Sequence, residues 1–252
     1  MQLPAPLRLE ASCILDEASF FSIYQNVSKH MTAAHEHVVG RQCVVLERMG
    51  ISVVPCWDYP VWLRGMRPLP YALFVRGDVG VLQRRGLAVV GSRASSEGPM
   101  RWARGLAARE ALEGGLVISG GARGIDAQAH EAALEHGACT VAYVGVACDK
   151  VYPAVHKGLF ARMLQQGGAL ISEHAPGVNT YASAHALRNR FIAWHASVLA
   201  VAEAGEQSGT LGTARWALRA GRPVWIPPEE VGGERGGIEG LKGCQGVQVR
   251  SD

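Results

Sequence analysis

The chain has 252 residues, 48% of them hydrophobic and 19% charged, with a formal net charge of +3. This is enough apolar material for one large core, and it excludes a chain that is disordered throughout. No run approaches the roughly 18 apolar residues of a membrane-spanning helix, so none is expected.

The opening "MQLPAPLRLEASCILDE" has prolines and acids where a signal peptide needs a basic and then an apolar run, so a cytoplasmic protein is expected. The six cysteines, Cys13, Cys43, Cys56, Cys139, Cys148 and Cys244, include no CxxC pair. Neither a disulfide framework nor a zinc site is expected from that spacing, and Cys139 reads as a core residue of a strand. His30, His35, His37 and Cys43 cluster only loosely and read as a solvated helix or loop.

Residues 1–50 contain helical-looking segments without glycine turns and are expected to form a small helical appendage. Residues 51–82 are rich in proline and aromatics and read as extended segments and turns leading into a sheet. From residue 87 a regular alternation begins. "LAVVG" (87–91) is a short apolar strand, and a helix follows with Ser95 or Ser96 as N-cap and Pro99 in its first turn. Met100, Ala103, Ala107 and Ala111 share one face of that helix. Gly114 and Gly115 stop it, and "LVISG" (116–120) starts the next strand.

A helix near 126–136, strand "CTVAYVG", a helix over 156–166 and strand "ALISE" come next. A helix over 185–195, strand "SVLAVAEA", a helix over 209–220 and strand "PVWIP" complete the run. Short strands alternating with helices predict right-handed βαβ units and an α/β fold, a doubly wound, mostly parallel, Rossmann-like sheet. That domain is expected over 51–230, with residues 231–252 a glycine-rich tail of loop.

In such a sheet ligands bind on the rim formed by loops leaving the carboxyl ends of the strands. Four of those loops suit an anion. They are "GSR" with Gly91, Ser92 and Arg93; "SGGARGID" with Gly120, Gly121 and Arg123; "GVACDKVYPAVHK" ending in Lys157; and "EAGEQSGTLGTA" with Ser208, Gly209 and Thr210. Glycine admits a ligand close to backbone N–H groups, a helix N-terminus adds partial positive charge, and arginine grips phosphate through a fork. Each loop alone could be an ordinary turn, but four on one rim point to a phosphate-rich ligand, and basic residues, including Arg188 and Arg190, recur around them.

Neither the dinucleotide fingerprint GxGxxG nor the phosphate loop GxxxxGK[ST] is present. Ser119, Asp126 and His130 are a tempting catalytic group, since Asp126 and His130 share a helix face. Nothing in the sequence activates Ser119, however, so no catalytic residue, metal or cofactor is expected. Asp126 reads as a helix cap.

These stretches closely resemble the DNA-processing protein A family, also called DprA or Smf. The matching residues include "DYPVWL" (58–63), "PYALFVRGD" (70–78), "VVGSR" (89–93), "VISGGARGIDAQAHEAAL" (117–134), "VYP" (151–153), "GALISE" (168–173), "LRNRFIA" (187–193) and "SGTLGTARWALRAGRPVWIPP" (208–228). The resemblance covers about residues 50–230. It implies an extended Rossmann-like fold that binds and protects incoming single-stranded DNA in natural transformation, helps load the RecA recombinase, forms homodimers and has no catalytic activity.

By the same resemblance Arg93 and Lys157 would hold DNA phosphates, and Gly120, Gly121, Arg123, Asn189, Arg190 and Ser208–Thr210 would line their pocket. Tyr152 is an aromatic on which bases could stack, whereas Phe191 is expected in the core. The chain departs from the family pattern in residues 1–50, which lack a clear glycine hairpin, and in "HAL" (185–187), which stands where phenylalanine-proline is common.

Two other readings use the same pocket. A nucleotide phosphoribohydrolase similar to the LOG family would need a PGGxGTxxE pattern, but "EQSGTLGTARWA" offers Arg215 and Trp216 where the acid belongs. A nucleotide-sensing Rossmann module would bind a mononucleotide without chemistry.

Overall fold

The computed structural model describes residues 46, 48–181 and 183–251. The helical appendage expected within residues 1–50 falls almost entirely outside the described residues, as do His30, His35, His37, Cys13 and Cys43.

The six strands read from the sequence form, and they alternate with helices. They are β3 (Gly86–Val90), β4 (Val117–Ser119), β5 (Thr140–Tyr143), β6 (Ala169–Ser172), β7 (Ala196–Val201) and β8 (Val224–Ile226). Between them run α1 (Glu97–Leu112), α2 (Ile125–Glu135), α3 (Lys157–Gln165), α4 (Ala184–His195) and α5 (Gly209–Arg219). Two strands from the proline-rich stretch, β1 (Ile51–Pro55) and β2 (Ala72–Gly77), precede them, and β9 (Val247–Val249) follows. The nine strands make one sheet in the order β1-β2-β6-β5-β4-β3-β7-β8-β9. From β6 to β9 every neighbouring pair is parallel, while β2 runs antiparallel to both β6 and β1.

The central strands are apolar on both faces because helices cover both. In β3, Leu87 and Val89 face a core with Trp102 and Leu106 of α1 and Ala129 of α2. Ala88 and Val90 face the opposite core, with Phe191 of α4 and Leu211 of α5. The alternation of period two thus feeds two cores from one strand. Ser96 is the N-cap of α1, as read, but its hydroxyl donates to the Glu203 carboxylate (3.2 Å) instead of closing its own helix. Cys139 is half-buried just before β5 and packs against the core.

The sequence reading of residues 231–252 as loop needs correction. Val224–Ile226 of β8 pairs in parallel with Val247–Val249, and Ile238 and Leu241 sink into the core. Trp102 also donates its indole N–H to the Arg250 carbonyl (2.9 Å). The glycines hid a few apolar residues whose partners lie on a strand far away in sequence. Among the described residues no helix is long and apolar enough to cross a membrane.

Candidate functional site

From β3 the chain proceeds through β4, β5 and β6 to one side, then returns to lay β7 on the other side of β3. β3 and β7 are therefore neighbours whose following helices, α1 and α5, cover opposite faces. A crevice opens where two such connections diverge. A cavity of about 530 Å³ sits there, lined by Gly91, Ser92 and Arg93 after β3, by Arg188 and Asn189 of α4, and by Ser208, Gly209 and Thr210 at the start of α5. A second cavity of about 620 Å³ is lined by Gly120, Gly121 and Arg123 after β4 and by Tyr152, Pro153 and Ala154 after β5. Arg93, Ala94, Ala122, His185 and Arg188 line both, so the two spaces adjoin.

Short-range bonds hold these loops. Ser208 caps α5, accepting from the Thr210 N–H (3.2 Å), and the Thr210 hydroxyl donates to the Gly91 carbonyl (3.3 Å). The positive end of the α5 dipole is thereby pinned beside the loop that carries Arg93. Asn189 adds a bond from its Nδ2 to the Gly209 carbonyl (3.4 Å).

The glycine-rich turn after β4 is built around two buried charges. A Cβ on Gly120 would overlap the Arg188 guanidinium, so glycine there makes room for a cation. Gly124 has φ of 72°, and a Cβ on it would run into the Ser92 carbonyl; the Ile125 N–H donates to that same carbonyl (3.2 Å). Asp126 does not cap its helix, because Gly124 occupies the N-cap. Its carboxylate instead accepts from the backbone N–H groups of Gly120 (3.2 Å) and Ala122 (3.3 Å), bracing the turn. Burial raises the Asp126 pKa, against the Arg188 charge and these N–H groups, which lower it.

Arg188 is buried, and its Nε has no partner among the described residues. Burial first, and Arg93 as well, lower its pKa to about 10 despite the opposing pull of Asp126. The guanidinium is therefore still charged at neutral pH, a cation held at the junction of two cavities.

The rim thus assembles Gly91, Ser92, Arg93, Gly120, Gly121, Arg123, Asn189, Ser208, Gly209 and Thr210. Two expected members lie elsewhere. Arg190 is fully buried away from both cavities, its guanidinium forked onto Glu173 (3.1 and 2.6 Å) and donating to the carbonyls of Pro68 (3.1 Å) and Leu187 (2.7 Å). Lys157 is exposed at the first residue of α3 and lines neither cavity.

His185 was absent from the expected set, and Arg188 entered it only as one of the basic residues recurring around the rim, although helical spacing was available to place both in the pocket. Residues 185, 188 and 189 fall on one face, and residue 190 turns away by about 100° from 189. Tyr152 stands half-exposed in the second cavity, whereas Phe191 stacks on Tyr143 in the core at 5.4 Å and 11°.

Ser119, Asp126 and His130 do not form a catalytic relay. The Ser119 hydroxyl donates to the Val89 carbonyl (2.6 Å). His130 meets the Thr140 hydroxyl through Nδ1 (2.8 Å), and that hydroxyl already donates to the Val117 carbonyl (2.7 Å), so Nδ1 carries the proton. Burial drives the His130 pKa down to about 3, which keeps the ring neutral. Among the described residues no group of three or more His, Cys, Asp or Glu is placed to hold a metal ion.

Residues 53–245 match the family model "DNA recombination-mediator protein A". The protein Smf of Escherichia coli is 41% identical over 174 residues, which is 69% of this chain and 46% of that protein. The DNA processing protein DprA of Streptococcus pneumoniae is 36% identical over 188 residues, 74% of this chain and 64% of its own length. The chain spans about half the length of the curated relatives it matches.

Among solved structures, DNA processing protein A from S. pneumoniae superposes with a TM-score of 0.77 at 26% identity, covering 100% of this chain and 96% of that one. The Helicobacter pylori protein, described for its single-stranded DNA binding mode, superposes at 0.71 with 24% identity, covering 79% of this chain and 90% of that one. The fold is accordingly that of its relatives, and the chain belongs to the DNA recombination-mediator protein A family, the DprA/Smf proteins.

Proposed function

We propose that this chain binds single-stranded DNA along the rim of its sheet, protects incoming DNA in natural transformation and helps load RecA onto it. The observation that carries the reading is the pair of adjoining cavities, bordered by Arg93, Arg123 and Arg188 and by the start of α5. Among the described residues the one carboxylate lining them, Asp126, is already engaged by backbone N–H groups. Each cavity is of small-ligand size, which suits successive unpaired nucleotides better than a stacked duplex. Relatives named for DNA processing, and one described for single-stranded DNA binding, support the same substrate. Delivery to RecA and a homodimeric state belong to this reading through family membership.

Titrating labelled single-stranded and duplex oligonucleotides of equal length at two salt concentrations tests it. With about three phosphates engaged, log K should fall with log[salt] at a slope of about −2, roughly 20-fold weaker binding between about 50 and 200 mM. The single strand should bind more tightly than the duplex. Equal affinity for both, or binding indifferent to salt, would count against the reading. Stabilisation by mononucleotides with no oligonucleotide binding would mark a nucleotide sensor, and release of free base from a nucleoside monophosphate an enzyme.

A further inference from the structure

We propose that His185 is a ligand-contacting residue at the junction of the two cavities, and that it takes up a proton as a DNA phosphate arrives, so that binding tightens as the pH falls. The inference rests on the reading of this rim as a DNA site and adds a regulated contact to it.

His185, in the first turn of α4, lines both cavities. Its ring centre is 5.1 Å from that of Tyr152, inclined by 37°, and Tyr152 is 52% exposed, which leaves an aromatic pair open to a base. A Cβ on Gly145 would overlap the imidazole, so the backbone after β5 seats the ring directly. Within the described residues its ring nitrogens make no hydrogen bond, and they are available to a ligand oxygen.

The charges around the ring point the same way. Arg188 faces it from its own helix, Arg93 from the loop after β3, His174 from the loop after β6, and the Tyr152 phenol from the loop after β5. No carboxylate is among them, and Asp126, which lines the first cavity, feels the Arg188 charge and is engaged by the turn amides. Burial first, then Arg188, Arg93 and His174, hold the His185 pKa below its ordinary value of 6.5. The ring is therefore neutral at pH 7 while the site is empty.

A phosphate arriving between the two guanidiniums brings a negative charge that offsets the cations now suppressing protonation. The imidazolium so formed gains an N–H donor for the same anion. Because the pKa is higher in the bound state than in the free state, affinity rises as the pH falls from the bound-state pKa toward the free-state pKa. The limit is tenfold per pH unit for one proton, and affinity is flat above and below that window.

The test is anisotropy with a labelled oligothymidylate, a base that does not titrate in this range, at constant ionic strength and about pH 5.5 and 8. The unmodified chain should bind roughly 3- to 10-fold more tightly at the lower pH, within the limit for a single proton. His185→Phe, which keeps an aromatic ring, should flatten the profile, and His185→Gln serves if the phenylalanine variant fails to fold. A pH-independent parent, a wild-type profile in the His185 variants, or a profile abolished only by His174→Asn would overturn the inference. No binding by the parent at either pH would instead sink the DNA reading itself.

Discussion

Replacing Arg190 with alanine should lower the melting temperature by about 6–20 °C, although Arg190 touches neither cavity. The fork between Arg190 and Glu173 is buried, and the guanidinium also donates to carbonyls from the loop before β2 and from its own helix. Removing the cation leaves a carboxylate in the interior without its counter-ion. Breaking one side of a buried pair costs about 3–5 kcal/mol. At about 2–4 °C per kcal/mol for a chain of this size, that sets the expected shift.

The double variant Arg190→Met with Glu173→Leu should recover most of the loss, because replacing both ions by apolar side chains removes the unpaired charge. Thermal denaturation of the three proteins checks it. A shift under about 2 °C for Arg190→Ala would mean that the pair is not structural, and lost oligonucleotide affinity at unchanged stability would restore Arg190 as a contact.

Arg190 also marks where the sequence could be read and where it could not. The strand-and-helix alternation was legible because each central strand is a continuous apolar run and each helix begins or ends at glycine, serine or proline. The rim loops were legible because glycine and arginine are conspicuous at the ends of such runs. "RNR" announced chemistry, yet two arginines two positions apart on a helix point about 200° apart, and only one can face the cavity. Rotation of α4 decided between Arg188 and Arg190, and that rotation is set by packing of Phe191 and Ile192 against the sheet.

The tail escaped for a related reason. Val247 and Val249 alternate over only three residues, and what makes them a strand is pairing with β8, more than twenty positions earlier. Strand order was equally hidden, since β7 returns to β3 across most of the fold. Asp126 was placed on the right loop but given the wrong task, because its acceptors serve N–H groups upstream of the helix, where only the folded turn brings them.

Arg93→Ala should weaken single-stranded DNA binding by roughly 10- to 100-fold while leaving the melting temperature almost unchanged. Its side chain is exposed, lines both cavities and lies on a loop whose backbone is held by bonds at Gly91 and Ser92. Among the described residues it belongs to none of the core clusters. A charge-assisted hydrogen bond contributes about 1.5–3 kcal/mol, which converts to the stated loss at about 1.4 kcal/mol per tenfold. The salt slope should fall by about 0.7 for each phosphate released. Arg93→Lys should recover only part of the affinity, since a point charge lacks the planar fork.

Lys157→Ala provides the contrast. Its side chain is exposed and lines neither cavity, and the expected loss is under about 5-fold, in the range of an exposed ionic contact. Anisotropy titrations of the three variants at two salt concentrations check the order. If Arg93→Ala costs no more than Lys157→Ala, the junction of the cavities is not where the DNA backbone is gripped. The order is expected because Arg93 shares its cavity with the α5 N-terminus and Arg188, and a phosphate there meets several positive groups at once, whereas Lys157 is exposed and outside both cavities.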